Sequence, residues 1–399
     1  RDCMNSKKVT EFREIIDNNQ LLEYIRNQGF GRPTSIQAKA IPALIKDGHF
    51  QVQGKTGSGK TLAYLLPLVA KLKTLEAENH AENEGEPKAV ILLPTRELAM
   101  QVFSIAKDLS HFAKLRIRKV VGGDKGRALS NVFKSKIDIL ITTPDRCLRT
   151  FNNSELSAAN LRYFIFDEAD QLLEPSFKTT VGEIAKNLVK PHMKICLVSA
   201  SKPLDFDEIV ADFFPGKSFT TIGKGEENVL NHKVDTYNLS VEEDDKFLFV
   251  NEFIKKQGRR NGLIFMGNKA RSKRLFEQVK QAFGGKKVFL LHKDLEAKER
   301  TAVVSDFRKS GGILVATDIF SRGIDIPHLQ WVLNFDLPSE ADYYLHRSGR
   351  VGRAGRPGDV FNFITSRDSK RQKNINVILG NQGRSDLQIL GKMTKLRRR

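Results

Sequence analysis

The sequence predicts an α/β protein built as two tandem domains, each a mostly parallel sheet with helices on both faces. Three observations carry this. The chain has 399 residues, more than a single hydrophobic core usually serves. Short apolar runs alternate with stretches of helical spacing, the mark of βαβ units. That rhythm then restarts once, after Gly223.

In the first domain, apolar runs at 50–53, 89–93, 119–121, 137–141, 163–166 and 194–198 read as strands, with helical spacing over 62–72, 96–112 and 178–189. In the second, runs at 234–238, 262–265, 287–290, 312–316, 331–335 and 359–363 repeat the pattern. Polar, glycine-containing 223–228 is the expected linker. It gives domains at 1–222 and 229–366 and a basic tail at 367–399. Segment 76–87 holds five Glu and no Lys or Arg and is expected to be an acidic surface loop. Trp331 and the phenylalanines of 247–253 are expected in the core, not on a base-stacking platform. His292 is expected to be a satisfied, partly buried histidine.

At 40% hydrophobic and 28% charged, the composition is that of a folded globular protein. Its apolar runs are too short to cross a membrane. Cys3, Cys147 and Cys196 lie far apart, with neither a disulfide framework nor zinc spacing. A reducing compartment is expected, the cytoplasm first, with nucleus and organelle open. The chain opens on Arg1, which leaves a removed leader open. Lys and Arg number 66 against 47 acids, a net +19. This points to a polyanionic partner, nucleic acid or a membrane surface, against the bland alternative of a solvated basic face. The last 33 residues hold ten Lys or Arg against two Asp.

Three motifs carry chemistry. Gly54-Lys55-Thr56-Gly57-Ser58-Gly59-Lys60-Thr61 fits the P-loop pattern between a strand and a helix. Its glycines let backbone N–H groups close on phosphates, Lys60 neutralises the β and γ phosphates, and the Thr61 hydroxyl suits Mg²⁺. The apolar run 163–166 ends in Asp167-Glu168-Ala169-Asp170, which places Asp167 to bind Mg²⁺ through water and Glu168 to orient or deprotonate an attacking water. His346-Arg347-Ser348-Gly349-Arg350-Val351-Gly352-Arg353 spaces three arginines so that they share one face if helical. Aligned guanidiniums need an anion, and a γ-phosphate clamped between the domains is the expected one.

On these residues the chain resembles the DEAD-box RNA helicase family from about Phe12 to Thr365. The resemblance implies two RecA-like domains, ATP and Mg²⁺ as cofactors, and RNA as partner, bound through its phosphate–ribose backbone. Gly29-Phe30 through Arg32 and Pro33-Thr34-Ser35-Ile36-Gln37 resembles the adenine-reading Q motif, with Phe12 as the stacking aromatic. Pro94-Thr95-Arg96, Gly122-Gly123 and Thr143-Pro144-Asp145-Arg146 resemble the RNA contacts of the first domain. Ser199-Ala200-Ser201 resembles the motif that couples the ATP and RNA sites, with Asp170 and Arg347 among its expected partners. In the second domain, Gly267, Arg300 and Thr317 match RNA-binding positions. Asp325 matches the ribose position, and Arg350 and Arg353 the γ-phosphate positions, with His346 beside them.

Some residues depart from the family pattern. Ser201 stands where Thr is usual and keeps a hydroxyl. Asp145 replaces a usual Gly and adds a negative charge near the RNA path. Lys55 replaces a usual Gln and favours phosphate. Lys293 and Ala297 replace a usual Gly and Gln, with altered RNA affinity expected.

The leading expectation is an RNA-dependent ATPase that separates short duplexes, as a monomer targeted by protein partners. Ribosome assembly enters by family association only. A clamp that locks on RNA with little unwinding is the alternative, and a DNA-directed motor is a third reading that a 2′-hydroxyl preference would exclude.

Overall fold

The computed structural model describes residues 9–381 apart from 56, 79–82, 125, 203–204, 224–233, 259, 284–286, 293, 318–328, 339–340 and 353–356. The chain divides into two compact units, Arg1–Glu227 and Asn228–Arg399.

In the first unit, strands β1 (His49–Gln53), β2 (Ala89–Leu92), β3 (Ile117–Val120), β4 (Ile139–Thr142), β5 (Tyr163–Asp167), β6 (Lys194–Ser199) and β7 (Phe219–Ile222) form one sheet. Its order is β3-β4-β2-β5-β6-β1-β7, and every strand pairing is parallel. Helices cover both faces, so the central strands are buried along nearly their whole length and read as unbroken apolar runs. Alternate residues serve two cores: Ala89 and Ile91 point into one, Val90 and Leu92 into the other. Strand β7 escaped the sequence reading. It is four residues long, lies at an edge and exposes Thr220 and Thr221, so it shows neither an apolar run nor a clear alternation.

The second unit repeats the plan with β8 (Val234–Ser240), β9 (Gly262–Met266), β10 (Val288–Leu291), β11 (Ile313–Thr317), β12 (Trp331–Asn334) and β13 (Gly358–Ile364). The order is β10-β11-β9-β12-β13-β8, again parallel throughout. Trp331 is fully buried, with Phe253 edge-on to it at 5.3 Å. A Cβ on Gly262 would lie 2.0 Å from the indole ring, so the strand must carry glycine there. The expectation for 247–253 holds in part. Phe253 is buried and Phe247 and Phe249 half-buried, while Leu248 is 65% exposed on the outer face of the helix Lys246–Gln257.

The acidic segment exposes Glu76, Glu78 and Glu84 and is tied down at its far end. Gly85 is buried and donates to Ser135 O (3.0 Å), Glu84 bridges to Lys136, and Glu86 accepts from Asn160 Nδ2 (2.6 Å). The linker at 224–228 and the end of the basic tail, 382–399, lie outside the described residues. Cys147 and Cys196 are buried free thiols, and burial pushes both well above the ordinary thiol range.

Candidate functional site

Strands β5, β6 and β1 are neighbours and run parallel, so their C-terminal ends deliver three loops to one edge of the first sheet. A ligand of an open parallel sheet sits at this edge. After β1 the chain enters the glycine loop, whose Gly54 N donates to Ser199 O at the end of β6 (3.1 Å). Gly57 and Gly59 hold φ of +77° and +90°, a region that strains any side chain. Lys60 opens the helix Lys60–Ala77. It is 8% exposed, and its Nζ donates to the carbonyls of Gly54 (2.6 Å) and Lys55 (3.1 Å). A buried ammonium over a glycine loop at a helix N-terminus suits a phosphate. Thr61 follows in the first helical turn.

Gln37 braces this loop. It closes a capping box with Thr34 at the start of the helix Ser35–Leu44, and its Nε2 donates to Gly59 O (3.2 Å). The Thr34 hydroxyl donates to Ser58 O (2.7 Å). Phe30 is 41% exposed and Arg32 is exposed. Phe12 lies upstream. It is 5% exposed and belongs to the hydrophobic core of the first unit. Thr56 lies outside the described residues.

Strand β5 presents the acidic end. Asp167 is buried, accepting from Glu168 N at Oδ1 (2.9 Å) and from the Tyr64 hydroxyl at Oδ2 (2.8 Å). Burial lifts its carboxyl above the usual range, against the Tyr64 hydrogen bond and the Lys60 charge, which pull it down. Glu168 adopts a left-handed conformation, φ +52°, sparsely populated for a residue with a side chain and concentrated at functional sites. Asp170 accepts from Ser201 at both N (2.9 Å) and Oγ (2.6 Å). The Ser201 hydroxyl therefore makes the bond that its Thr counterpart could make. The sequence reading missed Tyr64, although its signal was present: it lies one helical turn past Lys60, on the same face.

The RNA-resembling residues of the first unit also gather. Pro94 is buried, and Thr95 caps the helix Arg96–Ala113 by accepting from Leu98 N (3.3 Å). Arg96 Nη1 donates to Gly122 O, and a Cβ on Gly123, φ +88°, would lie 2.5 Å from that guanidinium. Arg146 Nη2 donates to Asp124 O (2.8 Å). Thr143 is the N-cap of the helix Pro144–Asn152, and Asp145 is exposed in its first turn, where a carboxylate also favours the helix dipole.

In the second unit Arg347 and Arg350 do not share a helix. The helix Ala341–Ser348 stops before Arg350. Arg347 is fully buried, donating to Asn334 Oδ1 (2.9 Å) and Asp336 O (2.7 Å). Arg350 lies in the turn that follows, 5% exposed, with its Nε on His346 O (3.3 Å). His346 is 2% exposed. The interleaved glycines end the helix, and the first arginine serves the core. Arg353 and Asp325 lie outside the described residues.

Thr317 ends β11 with its hydroxyl buried and unbonded. Arg300 Nη2 donates to Leu295 O (3.0 Å), and Gly267 N donates to Asp336 Oδ2 (3.1 Å). His292 departs from expectation: it is buried, but its Nδ1 has no partner. Burial, with the charges of Lys273 and Lys269, holds its imidazole below the usual range.

Fold and site together define a P-loop nucleotide-binding protein with a second α/β unit. Residues 34–209 match the DEAD/DEAH box helicase family and 245–355 the helicase conserved C-terminal domain. The chain is 31% identical over 370 residues to the Haemophilus influenzae ATP-dependent RNA helicase SrmB, covering 91% of this chain and 81% of that one. A probable ATP-dependent RNA helicase of Methanocaldococcus jannaschii is 34% identical, over 91% and 94% of the two chains. Among solved structures, Saccharomyces cerevisiae Dbp5 bound to RNA and ADP BeF3 matches with TM-score 0.80 at 25% identity, over 93% and 94% of the chains. Mss116p bound to ssRNA and AMP-PNP matches with TM-score 0.83 at 27% identity, over 98% and 80%. The chain belongs to the DEAD-box ATP-dependent RNA helicase family.

Proposed function

We propose that this protein hydrolyses ATP in response to RNA and uses the cycle to separate short RNA duplexes or remodel RNA–protein complexes without reading base sequence. The carrying observation is the bonded chain of groups at one sheet edge: Gln37 on Gly59, Gly54 on Ser199, and Ser201 on Asp170 beside Asp167. On the family's assignments, a change at the nucleotide loop reaches the coupling motif through direct hydrogen bonds. Glu168 is read as the residue that orients or deprotonates the attacking water. Lys60 and Arg350, with Arg353, are read as neutralising phosphate charge.

Mg²⁺ fits the residues present. With one donor on each oxygen of Asp167, lone pairs remain for metal-bound water, and the Thr61 hydroxyl is the second candidate ligand. When bound, Mg²⁺ would offset charge on the β and γ phosphates. The two buried free thiols support residence in a reducing compartment, the cytoplasm being our reading. A role in ribosome assembly is proposed on family association alone. No helix among the described residues is long and apolar enough to cross a membrane.

The test is ATP hydrolysis with and without single-stranded RNA, with Glu168→Gln as control, followed by release of a labelled strand from a short duplex. RNA stimulation that the control abolishes, together with strand release, is the expected result. Equal rates with and without RNA would overturn the reading. RNA held in ATP with no strand released would favour an RNA clamp.

A further inference from the structure

We infer that Asn334, Asn362 and Asn238 are positioning residues for Arg347: a buried row of amides that fixes its guanidinium from the sheet side. The inference rests on reading Arg347 as one of the residues that couple the ATP and RNA sites, next to Arg350.

The three asparagines stand at one register level across β12, β13 and β8, Asn334 opposite Asn362 and Asn362 opposite Asn238. All are fully buried. Arg347 Nη1 donates to Asn334 Oδ1 (2.9 Å), Asn334 Nδ2 to Asn362 Oδ1 (2.7 Å), and Asn362 Nδ2 to Asn238 Oδ1 (2.8 Å). Chemistry sets this direction. A guanidinium only donates, so Asn334 must turn its oxygen toward Arg347, and each amide then orients the next. Every amide dipole points its negative end at the cation, and such chains strengthen each other in a low dielectric.

The row holds the helix Ala341–Ser348 at two points. Asn362 Nδ2 also donates to the Tyr344 hydroxyl (3.1 Å), and Tyr344 lies one turn before Arg347 on the same face. The same Nη1 also donates to the Asp336 carbonyl (2.7 Å), and the guanidinium carbon lies over the Phe265 ring at 5.1 Å. Arg347 in turn anchors the exit turn, since Arg350 N donates to its carbonyl (3.2 Å) and Arg350 Nε to that of His346. Buried amides are costly compared with apolar side chains of similar size. Three in a row, all aimed at one cation, make sense as the means of holding that cation in a single orientation.

The experiment uses the full chain. It measures kcat and KM for ATP in RNA-stimulated hydrolysis for Asn334→Leu, Asn362→Leu and Asn334→Asp, alone and combined with Arg347→Met, with Trp331 fluorescence melts as the folding control. Asn334→Leu removes a hydrogen bond to a charged group and Asn362→Leu removes the amide that orients Asn334, and each should lower kcat roughly tenfold, with KM for ATP held within about twofold because the P-loop is untouched. Asn334→Asp keeps an acceptor for Arg347 and should retain more of the rate than Asn334→Leu. Neither Leu change should lower kcat further once Arg347 is Met.

Folded Leu variants within about twofold of the parent rate, or losses that multiply with that of Arg347→Met, would overturn the inference. If a Leu variant fails to fold, the Asp variant decides: a rate as low as that of Arg347→Met would also overturn it. If Arg347→Met itself keeps full RNA stimulation, the reading of Arg347 fails, whatever the asparagines do.

Discussion

Replacing Tyr64 by Phe removes one oxygen and leaves the ring. The hydroxyl lies 2.8 Å from Asp167 Oδ2, and the two residues are 1% and 5% exposed. The ring volume is kept, so no cavity opens, and the change isolates one bond to a buried carboxylate. Such bonds contribute about 1.5–3 kcal/mol. In a unit of this size, about 2 kcal/mol corresponds to a fall of roughly 4–8 °C in melting temperature. The protein supplies its own control, because its one tryptophan, Trp331, is buried in the second unit. Circular dichroism should therefore show a transition shifted downward, while the transition followed by Trp331 fluorescence stays in place. RNA-stimulated kcat should fall about tenfold, because the carboxylate next to Glu168 loses a fixed orientation. Equal shifts in both transitions, or unchanged melting and unchanged kcat, would refute the reasoning.

Other consequences are equally direct. Asp138 is 1% exposed and is bonded by Arg116 N, Nε and Nη2 (2.7, 2.8 and 2.8 Å) and paired with Lys88 (3.1 Å). Burial alone would raise its carboxyl, but the Arg116 hydrogen bonds and the Arg116 and Lys88 charges outweigh it, and the net shift is downward. Its contribution is thus present above the ordinary carboxylate range and lost as pH falls through the depressed value. Acid melts should show a stability loss below about pH 4 that Asp138→Asn flattens, at a neutral-pH cost of about 3–5 kcal/mol for breaking a buried pair. An unaltered acid limb would count against this. Gly262→Ala drives a methyl into the Trp331 ring and should cost about 1–3 kcal/mol or more, read as an early Trp331 fluorescence transition. Ser201→Ala should lose RNA stimulation of ATP hydrolysis, while Ser201→Thr, which restores a hydroxyl for Asp170, should keep it. Equal stimulation in the two would show that the backbone N–H bond to Asp170 suffices. Gln37→Ala should raise KM for ATP about tenfold by freeing the Gly59 carbonyl from its 3.2 Å bond, which nucleotide titration would measure.

Groups whose role follows from chain neighbours were legible before folding. The central strands of both sheets carry apolar runs because both faces are covered, and the glycine loop, the acidic end of β5 and the arginine-rich motif are contiguous in the chain, with chemistry written in residue type and spacing. Tertiary structure decided the matters that depend on distant partners. Tyr64 and Asp167 are 103 positions apart and meet at a hydroxyl. Asn238 and Asn362 are 124 apart and share one register level. Spacing put three arginines on one face if helical, but the helix ends at Ser348, with Arg347 in the core and Arg350 in the exit turn. The motif that names Phe12 as the stacking aromatic carries no information about its burial. A hydrogen bond between remote side chains has no periodicity in the chain, so it becomes visible only once the strands are paired and the helices laid on them.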